Sequence, residues 1–421
     1  MSNRAGKVMM KLLGVFVCLM LMLFNYSDPM RLVREMDGDI YLDSQSGSGV
    51  LAQIAAPFTV STVPDGMPVS SDFAESLSSV TGEENDSYKT VTVELFGLIP
   101  VKKVNVHYRK DIYVMPGGES VGVTLYTKGA LVVGMGSVLT KNGERVCPAE
   151  VGGVQVGDVI TWANGTEVKN ADTLVNIFNK AKGTVELTVL RGETTLKASV
   201  TPVEDATDGI FKIGMWVRDS TAGIGTLSFY IMSTKKYGAL GHAITDVDTG
   251  SLLSVRDGEI IQSNVLGVVQ SSQGTPGEIK GTFTSISKRL GVIEKNTEFG
   301  IFGELYEEIV NPLYPNGVPV AYPEEVEAGP AQLLTTVDDT GIKAYDCEII
   351  KIYPQTSAAT KGLVIQITDE DLIEKTGGIV QGMSGSPVMQ NGKLVGIITH
   401  VFINDSLKGY CIYALWMTGL A

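Results

Sequence analysis

Histidine and cysteine are scarce in this chain of 421 residues, which has three histidines and four cysteines. The cysteines are too few and too scattered for a disulfide framework or a zinc-ligand pair: Cys18, Cys147, Cys347 and Cys411. No His-Glu-x-x-His motif occurs, so zinc metalloprotease chemistry is not supported. We therefore expect no metal site, and nothing in the sequence indicates an organic cofactor.

Basic residues are also in the minority, because 33 lysines and arginines stand against 47 acidic residues, which gives a net charge of −14. Binding to phosphates requires a basic surface, so a nucleic-acid partner is not expected. Aromatic residues make up only 7% of the chain, whereas glycine occurs 48 times. This composition is typical of a largely β protein, and the length allows two or three domains.

The first 26 residues have a composition of their own. Arg4, Lys7 and Lys11 precede an apolar run over residues 12–24, a pattern typical of an export signal. The run is short for a membrane-spanning helix, which needs about 20 apolar residues. No cleavage site of small residues follows it, so we predict an uncleaved signal anchor over residues 1–26, with the positive side in the cytoplasm.

Residues 27–89 are predicted to form a flexible linker, because Ser, Gly, Pro and acidic residues are frequent there and no periodicity is sustained. Strand-like alternation begins at residues 90–95 and resumes at 104–108. We therefore predict a strand-rich segment over residues 90–116. His107 lies in the second run and is expected to be a half-exposed strand residue, not a catalyst.

Residues 117–203 contain a series of short motifs separated by turns. In chain order they are Val-Gly-Val-Thr-Leu at 121–125, Pro-Ala at 148–149, Gly-Asp-Val-Ile at 157–160 and Asn-Gly at 164–165. In order and spacing, these motifs resemble those of a bacterial PDZ domain. Such a domain captures a peptide along an open strand edge.

That resemblance implies a peptide-binding site. The backbone amides of the first motif would grip a carboxylate or a peptide backbone: Gly122, Val123, Thr124 and Leu125. A helix predicted near residues 170–181 would wall the groove with Leu174. The alternative is that the same residues are ordinary sheet and helix core, because PDZ-like folds can lose their ligands.

The most informative stretch is Gly-Met-Ser-Gly-Ser-Pro-Val at residues 382–388. A serine between glycines fits a nucleophile on a tight turn whose amides face a developing oxyanion. An Asn-Gly turn at 391–392 and a Val-Gly-Ile strand follow it. Together these pieces resemble the nucleophile turn and the next hairpin of chymotrypsin-like serine proteases. The simpler alternative is an ordinary glycine-rich turn.

If Ser384 is a nucleophile, one of the three histidines is its general base. His242 follows an apolar turn and precedes Ser384, which matches the His-then-Ser order of chymotrypsin-like enzymes. We therefore favour His242 over His400 as the group that takes the serine proton and returns it to the leaving amine. The amides of Gly382 and Ser384 are the natural oxyanion donors.

Residues 220–421 resemble the stage IV sporulation protein B peptidase family, and the motifs at 238–242 and 377–387 carry the match. The resemblance implies a catalytic triad of His242, Asp369 and Ser384. The chemistry of the sequence alone cannot select the acid, because each rival is usually a solvated surface residue: Asp246, Asp248, Asp338, Asp339, Asp346 and Asp371.

The expected fold is mainly β with some α. It comprises the anchor, the linker, the strand-rich segment, a PDZ domain at 117–203 and a peptidase domain at 204–421. The peptidase domain would resemble a two-barrel, chymotrypsin-like serine protease. The order of anchor, PDZ domain and peptidase agrees with the family over almost the whole chain.

The family resemblance also implies a role in sporulation signalling. Such peptidases are made in the forespore, cross its membrane, cleave themselves and then cut a regulatory membrane protein. The cut releases an intramembrane metalloprotease that processes a sigma-factor precursor. The enzyme would act between forespore and mother cell, either membrane-anchored or released, and the PDZ unit would bind a partner or a second copy.

Two other functions stay open at this stage. One is a general envelope protease of the PDZ-containing quality-control type, although such proteins usually place PDZ after the protease. The other is a non-enzymatic PDZ scaffold whose protease-like domain only binds. The presence of both His242 and Ser384 weighs against the scaffold.

Overall fold

The computed structural model describes residues 2–35, 39–42, 58–62, 88–108, 111–181, 183–272, 274–283, 287–355 and 357–421. They fall into two compact units, Met1–Asp111 and Ile112–Ala421. Strands far outnumber helices along the described chain, so the prediction of a mainly β fold with some α is confirmed.

In its described residues, the first unit contains two helices and one sheet: α1 (Ser2–Asn25), α2 (Asp28–Glu35), β1 (Asp39–Leu42), β2 (Phe58–Thr62), β3 (Tyr88–Leu95) and β4 (Ile99–Tyr108). The strand order is β1-β4-β3-β2, and only the β1–β4 pair is parallel. Over the residues described, no helix is both long enough and apolar enough to cross a membrane. The signal anchor stays a prediction.

Regular structure occurs inside the segment predicted to be a linker, since α2, β1 and β2 all lie within residues 27–89. β2 has the sequence Phe-Thr-Val-Ser-Thr and pairs with β3 along its whole length. Its β-branched residues favour a strand, but five residues among turn formers give too short an alternation to recognise. Residues 43–57 and 63–87 of this segment lie outside the described residues, whereas the runs at 90–95 and 104–108 fall in β3 and β4 as expected.

The second unit begins with β5 (Tyr113–Pro116), β6 (Ser120–Met135), β7 (Val138–Leu139), β8 (Arg145–Val146), α3 (Pro148–Val151), β9 (Val159–Ala163), β10 (Thr166–Glu167), α4 (Ala171–Lys180), β11 (Val185–Arg191), β12 (Thr194–Val200), β13 (Val203–Glu204), β14 (Phe211–Lys212), β15 (Met215–Ile231) and β16 (Lys236–Ala239). The predicted helix near residues 170–181 is therefore present as α4. Asn170 caps its first turn by accepting a hydrogen bond from the Thr173 amide.

The second unit continues with β17 (Val255–Gln262), β18 (Asn264–Val269), β19 (Glu278–Thr282), β20 (Arg289–Thr297), β21 (Gly300–Leu305), β22 (Val318–Pro319), a 3-10 turn (Pro323–Glu325), β23 (Gly329–Thr335), β24 (Lys343–Ile352), β25 (Leu363–Ile367), α5 (Glu370–Thr376), β26 (Pro387–Gln390), β27 (Lys393–Phe402), β28 (Asp405–Tyr413) and α6 (Ala414–Thr418). The Asn-Gly turn expected at 391–392 joins β26 to β27, and Asn391 and Gly392 both have positive φ angles.

Two rings of six strands organise this unit. In the first ring the order β6-β17-β20-β21-β16-β15 is closed by pairing between β15 and β6. The second ring is a closed barrel with the order β23-β24-β25-β28-β27-β26. Closure leaves no free sheet edge within either ring. The two-barrel arrangement expected of a chymotrypsin-like protease is therefore present.

Alternating side chains build the interior of the second ring. In β24, Tyr345, Cys347 and Ile349 are buried, whereas Ala344, Asp346 and Glu348 are exposed. This period of two places one face of each strand in the core. The inward residues join a continuous cluster that also contains Met383 of the nucleophile turn, so the barrel core supports that turn directly.

β6 and β15 are long strands that extend past the first ring. Beyond the ring, residues 130–131 of β6 pair with β9, which continues the sheet through β11 and β12. Residues 215–218 of β15 pair with residues 131–135 of β6 in the same region. The predicted PDZ segment and the predicted peptidase segment thus share one twelve-stranded sheet, and the boundary at 203/204 does not divide it.

Candidate active site

The nucleophile turn lies between a β-bridge at Gln381 and the start of β26. Gly385 has a φ of +101° in this turn, and a Cβ atom there would lie 2.1 Å from the Thr226 carbonyl oxygen. That distance is impossible for a real side chain, so only glycine fits this approach of two backbones. The glycine pattern read from the sequence therefore has a steric cause. It holds the turn against β15.

The backbone amides of the turn fall into two groups. The Met383 amide donates to the Val380 oxygen at 3.1 Å, and the Gly385 amide donates to the Ile398 oxygen at 2.8 Å. The amides of Gly382 and Ser384 have no acceptor among the described residues. These are the two donors predicted for an oxyanion, and a half-buried pair of unused N–H groups can bind a developing negative charge.

Thr226 on β15 fixes the carbonyl groups of the same turn. Its side-chain hydroxyl donates to the Gly382 oxygen at 2.7 Å, and its amide donates to the Ser384 oxygen at 3.1 Å. Its own carbonyl accepts from the Leu240 amide at 3.2 Å. One buried residue thus joins the serine turn to the segment before His242. Sequence reasoning missed it, because a threonine in a strand carries no local signal of this role.

His242 follows two residues with left-handed backbone angles, Leu240 with a φ of 71° and Gly241 with a φ of 70°. A positive φ is unusual for leucine, and such strain is concentrated at functional sites. The turn brings the chain against β27, where a Cβ on Gly241 would lie 3.0 Å from the Ile398 oxygen. The segments that carry Ser384 and His242 both approach this oxygen, since the Gly385 amide donates to it at 2.8 Å.

The imidazole of His242 is half-buried, and its Nδ1 atom lies 2.8 Å from the Ala243 oxygen. A carbonyl oxygen only accepts, so Nδ1 carries a proton and Nε2 holds the lone pair that a general base needs. Burial lowers the pKa of His242 from its ordinary value, and the bond to Ala243 opposes that shift. The lowered pKa favours the neutral ring, which is the form that a general base requires.

The Ser384 hydroxyl donates to the Thr399 oxygen at 3.1 Å, not to His242. Rotation about the Cα–Cβ bond of Ser384 is needed before the proton can pass to the imidazole. Active-site bonds of this kind are often loose without substrate and tighten in the complex. In this structure the Ser384 hydroxyl is therefore bonded to Thr399, and Nδ1 of His242 is bonded to Ala243.

Among the described residues, Asp369 forms no hydrogen bond or ion pair with His242. It caps the first turn of α5, where its carboxylate accepts from the Leu372 amide at 3.0 Å and from the Asp346 amide at 3.2 Å. Two of the other candidate acids, Asp246 and Asp248, form ion pairs with Arg218. Within the described stretches, no carboxylate forms an ion pair or a hydrogen bond with His242. A third catalytic residue at Asp369 stays a prediction.

His400 lies beside His242, although the sequence argument set the two against each other. The ring centroids are 5.3 Å apart with an interplanar angle of 42°. His400 follows Thr399, whose carbonyl accepts the serine hydroxyl, and its side chain is exposed at the rim. Chain order could not reveal this pairing, because β27 reaches the site only through the barrel. No set of three His, Cys, Asp or Glu side chains in the described part could hold a metal.

The residues predicted to bind a peptide do not share one groove. Gly122, Val123, Thr124 and Leu125 lie in β6 where it pairs with β15 on one side and with β17 on the other. The expectation of an open edge there is wrong, because both rows of backbone groups are already used. Leu174 is 2% exposed and packs in a different core cluster beside Phe178.

An open edge is found instead on β15. Over residues 215–218 this strand pairs with β6 on one side only, judged on the strands described. Helix α4 packs against β15, and the Ala171 amide at its start donates to Asp219 at 2.8 Å. A strand edge therefore lies beside α4, but β15 supplies it and not residues 122–125 of β6.

The family model of the SpoIVB peptidase S55 matches residues 209–418. Among solved structures, the PDZ domain of an SdrC-like protein from Listeria monocytogenes is 22% identical, with a TM-score of 0.18, and the match covers 21% of this chain and 87% of that one. The active form of the Rv3671c protease from M. tuberculosis is 15% identical, with a TM-score of 0.28, and the match covers 47% of this chain and 72% of that one.

The inactive form of Rv3671c is 14% identical, with a TM-score of 0.26, over 47% of this chain and 81% of that one. No curated protein matches the chain. The matched segment of the family model contains β15, the turn before His242 and the nucleophile turn. Through residues 209–418 the chain belongs to the SpoIVB peptidase S55 family, and it is a serine peptidase.

Proposed function

We propose that Ser384 is the nucleophile and His242 the general base of this peptidase. Ser384 attacks the scissile carbonyl carbon as its proton passes to Nε2 of His242, and the leaving amine then takes that proton. Water repeats the cycle on the acyl-enzyme with the same base. The observation that carries the proposal is the pair of unused amides, Gly382 and Ser384, on either side of Met383, whose own amide is bonded.

The biological setting is part of the same proposal. The enzyme cleaves itself and then a regulatory membrane protein, and the second cut releases an intramembrane metalloprotease that processes a sigma-factor precursor. It works between forespore and mother cell, held by the N-terminal anchor or released from it. The family's name supports a role in sporulation. The open edge of β15 beside α4 supports a peptide-binding role for the PDZ unit in recognising a partner or a second copy.

A fluorophosphonate probe tests the catalytic roles without knowledge of the substrate. Such a probe loses fluoride when an activated serine attacks its phosphorus, so labelling reports the nucleophile and its base. The full chain is expected to be labelled, and the Ser384→Ala and His242→Ala variants are expected to be unlabelled. Ser386→Ala is the matched control, because Ser386 is buried in the same turn and its side-chain hydroxyl donates to the Thr335 hydroxyl at 3.0 Å.

Labelling that persists in Ser384→Ala would refute the assignment of the nucleophile. The substrate is tested separately, by incubating the full chain and Ser384→Ala with unfolded casein and with candidate membrane regulators. Cleavage of one regulator, with discrete fragments of the enzyme itself, supports the signalling role. Degradation of casein together with many other chains supports the alternative, a general envelope quality-control protease.

A further inference from the structure

The peptide unit between Ala243 and Ile244 is bonded on both sides by side chains. Its carbonyl oxygen, on Ala243, lies 2.8 Å from Nδ1 of His242. Its N–H, on Ile244, donates to Oδ1 of Asn296 at 2.9 Å. One planar group therefore links the imidazole to a side-chain amide that lies more than fifty residues away along the chain.

Asn296 is held firmly by its other atoms. Its Nδ2 group donates to the Ile244 oxygen at 2.8 Å and to the Leu253 oxygen at 2.9 Å. Its orientation follows from chemistry, because the Ile244 N–H can face only the oxygen and the two carbonyls can face only the NH₂ group. Its backbone lies in β20, where it pairs with Ile301 of β21. Asn296 thus holds both ends of the loop at residues 244–253, which directly follows His242 and Ala243, against β20 of the first ring.

Hydrogen bonds in a chain polarise one another. When the Ile244 N–H donates to Asn296, electron density shifts toward the Ala243 oxygen, which becomes a better acceptor for the Nδ1 proton of His242. That acceptor keeps the proton on Nδ1 and stabilises the imidazolium that forms when Ser384 is deprotonated. In a Ser-His-Asp triad an acid performs both tasks, and no carboxylate bonds to His242 in the part of the chain described.

We propose that Asn296 is a positioning residue of this peptidase, acting on His242 through the Ala243–Ile244 peptide. The inference rests on the proposed role of His242 as general base. Asn296 touches neither Ser384 nor the oxyanion amides, so its effect is on the tautomer, the orientation and the basicity of the imidazole.

The charges around the imidazole are few. His400 on β27 is the titratable group that faces the ring of His242, at 5.3 Å between centroids. Partial desolvation, followed by the charges of His242 and Lys361, lowers the pKa of His400. Asp246 in the same loop is buried, pairs with Arg218 and accepts from Thr249. The group that orients Nδ1 of His242 is therefore the polarised peptide between Ala243 and Ile244.

The test compares Asn296→Ala with a matched variant, Asn311→Ala, in the full chain. Asn311 is also a structural amide, since its Nδ2 group donates to the Pro116 and Gly117 oxygens and its Oδ1 accepts from the Leu313 amide. It makes no contact with the His242 loop. Both variants lose hydrogen bonds from a side-chain amide to backbone carbonyl groups, but only Asn296→Ala loses the hydrogen-bonded link to the imidazole of His242.

Fluorophosphonate labelling is measured as a maximal rate and a half-saturating probe concentration over a range of pH, together with thermal unfolding. Asn296→Ala is expected to lower the maximal rate about 10- to 100-fold with little change in half-saturation, because orientation of the base is lost while binding is kept. Asn311→Ala is expected to lower the unfolding temperature but to keep the pH dependence of labelling at temperatures where it is folded.

A second readout follows the tautomer directly. In a Ser384→Ala background, the ¹⁵N shifts of His242 should report a proton on Nδ1 in the parent and a mixture of tautomers after Asn296→Ala. If Asn296→Ala does not fold, Asn296→Asp keeps the acceptor and adds a negative charge, which should move the acid limb of labelling to higher pH.

Normal labelling and an unchanged tautomer in folded Asn296→Ala would overturn the inference, as would an unmoved acid limb in Asn296→Asp. Neither result touches the proposed function, which fails only if the parent is unlabelled or Ser384→Ala is labelled.

Discussion

At the scale of single residues, the geometry of the site depends on which backbone groups are bonded and which are left free. The peptide from Gly382 to Met383 is fixed at both ends, by the Thr226 hydroxyl and by the Val380 oxygen. The peptide from Ser384 to Gly385 is likewise fixed by the Thr226 amide and the Ile398 oxygen. The free Ser384 amide lies between these two anchored peptides, and the free Gly382 amide belongs to the preceding peptide, whose Gln381 oxygen accepts from the Ile279 amide at 2.8 Å. The direction of both amides is therefore set before substrate arrives, which is the condition for electrostatic preorganisation.

Thr226→Val should therefore impair catalysis while keeping the shape of the side chain. The partly buried Gly382 oxygen would lose its hydroxyl donor, at a cost of about 1 kcal/mol in the free energy of unfolding. Loss of one true oxyanion donor costs about 10²–10³ in rate, and we expect about tenfold for this indirect displacement. Labelling rate and thermal unfolding of Thr226→Val and Thr226→Ser measure it. Equal labelling by the two folded variants would contradict the role of the hydroxyl.

Local patterns revealed some of these residues and not others. The glycines around Ser384 could be predicted to form a nucleophile turn, because their steric requirement is confined to a few neighbouring positions. Thr226 and Asn296 could not be predicted, since each acts through backbone groups that the chain brings close only after both ends of the first ring have closed. Such residues look like ordinary strand residues in the sequence.

At the scale of elements, Asp369 at the start of α5 has two proposed roles, a helix cap and a catalytic acid. Asp369 begins this helix and accepts from its Leu372 amide, which is the usual work of an aspartate at an N-cap. The helix ends at Gly377, which has a φ of +70°, and leads into the stretch before Ser384. An acid at this position therefore supports the nucleophile turn through the helix, whatever else it does.

Substitutions at Asp369 separate a cap from a catalytic acid. Asp369→Asn keeps an acceptor for the Leu372 amide and should retain labelling within about threefold, because asparagine caps helices as well as aspartate does. Asp369→Ala should lower stability by about 1 kcal/mol. Denaturant unfolding and labelling rates provide the comparison. A drop of about 10⁴ in Asp369→Asn, as for the acid of a triad, would show instead that Asp369 engages His242 during turnover.

Strand β6 illustrates why an edge is hard to predict from sequence. The alternation at residues 121–125 correctly indicates a strand, but its two partners, β15 and β17, come about a hundred residues later in the chain. Pairing between segments so far apart in sequence leaves no local signal, so the sequence alone predicts an open edge at residues 121–125. The helix α4 was predicted correctly because its periodicity and its Asn170 cap are local.

At the scale of the whole second unit, the first ring is made from both predicted domains. Its strands β6 and β15 come from either side of residue 203, and the ring closes through their mutual pairs. Motifs divided the chain at this point because composition changes there. Sheet pairing does not follow composition, so a boundary in sequence is not a boundary in the fold here.

A truncated chain of residues 204–421 should therefore fail to fold, although it contains both His242 and Ser384. It lacks β6, which supplies partners to β15 and β17 and fills the first core with Val121 and Val123. A chain of residues 112–421 keeps all of these strands and should unfold cooperatively and be labelled by fluorophosphonate. Circular dichroism on heating distinguishes the two. A folded, labelled 204–421 chain would show that β6 is dispensable.

The pairing of β6 with β15 on one side and β17 on the other also protects its backbone amides from hydrogen exchange. Its residues 121–127 are bonded to β17, and residues 121–125 also face β15, so no peptide in this stretch is exposed by fraying at a sheet edge. Their N–H protons can exchange with deuterated solvent only when the ring itself opens, and they should be among the last to do so. The same strand continues into the sheet beside α4. The exchange rate of these protons, measured by mass spectrometry, should therefore report how readily the first ring and the adjoining sheet open together.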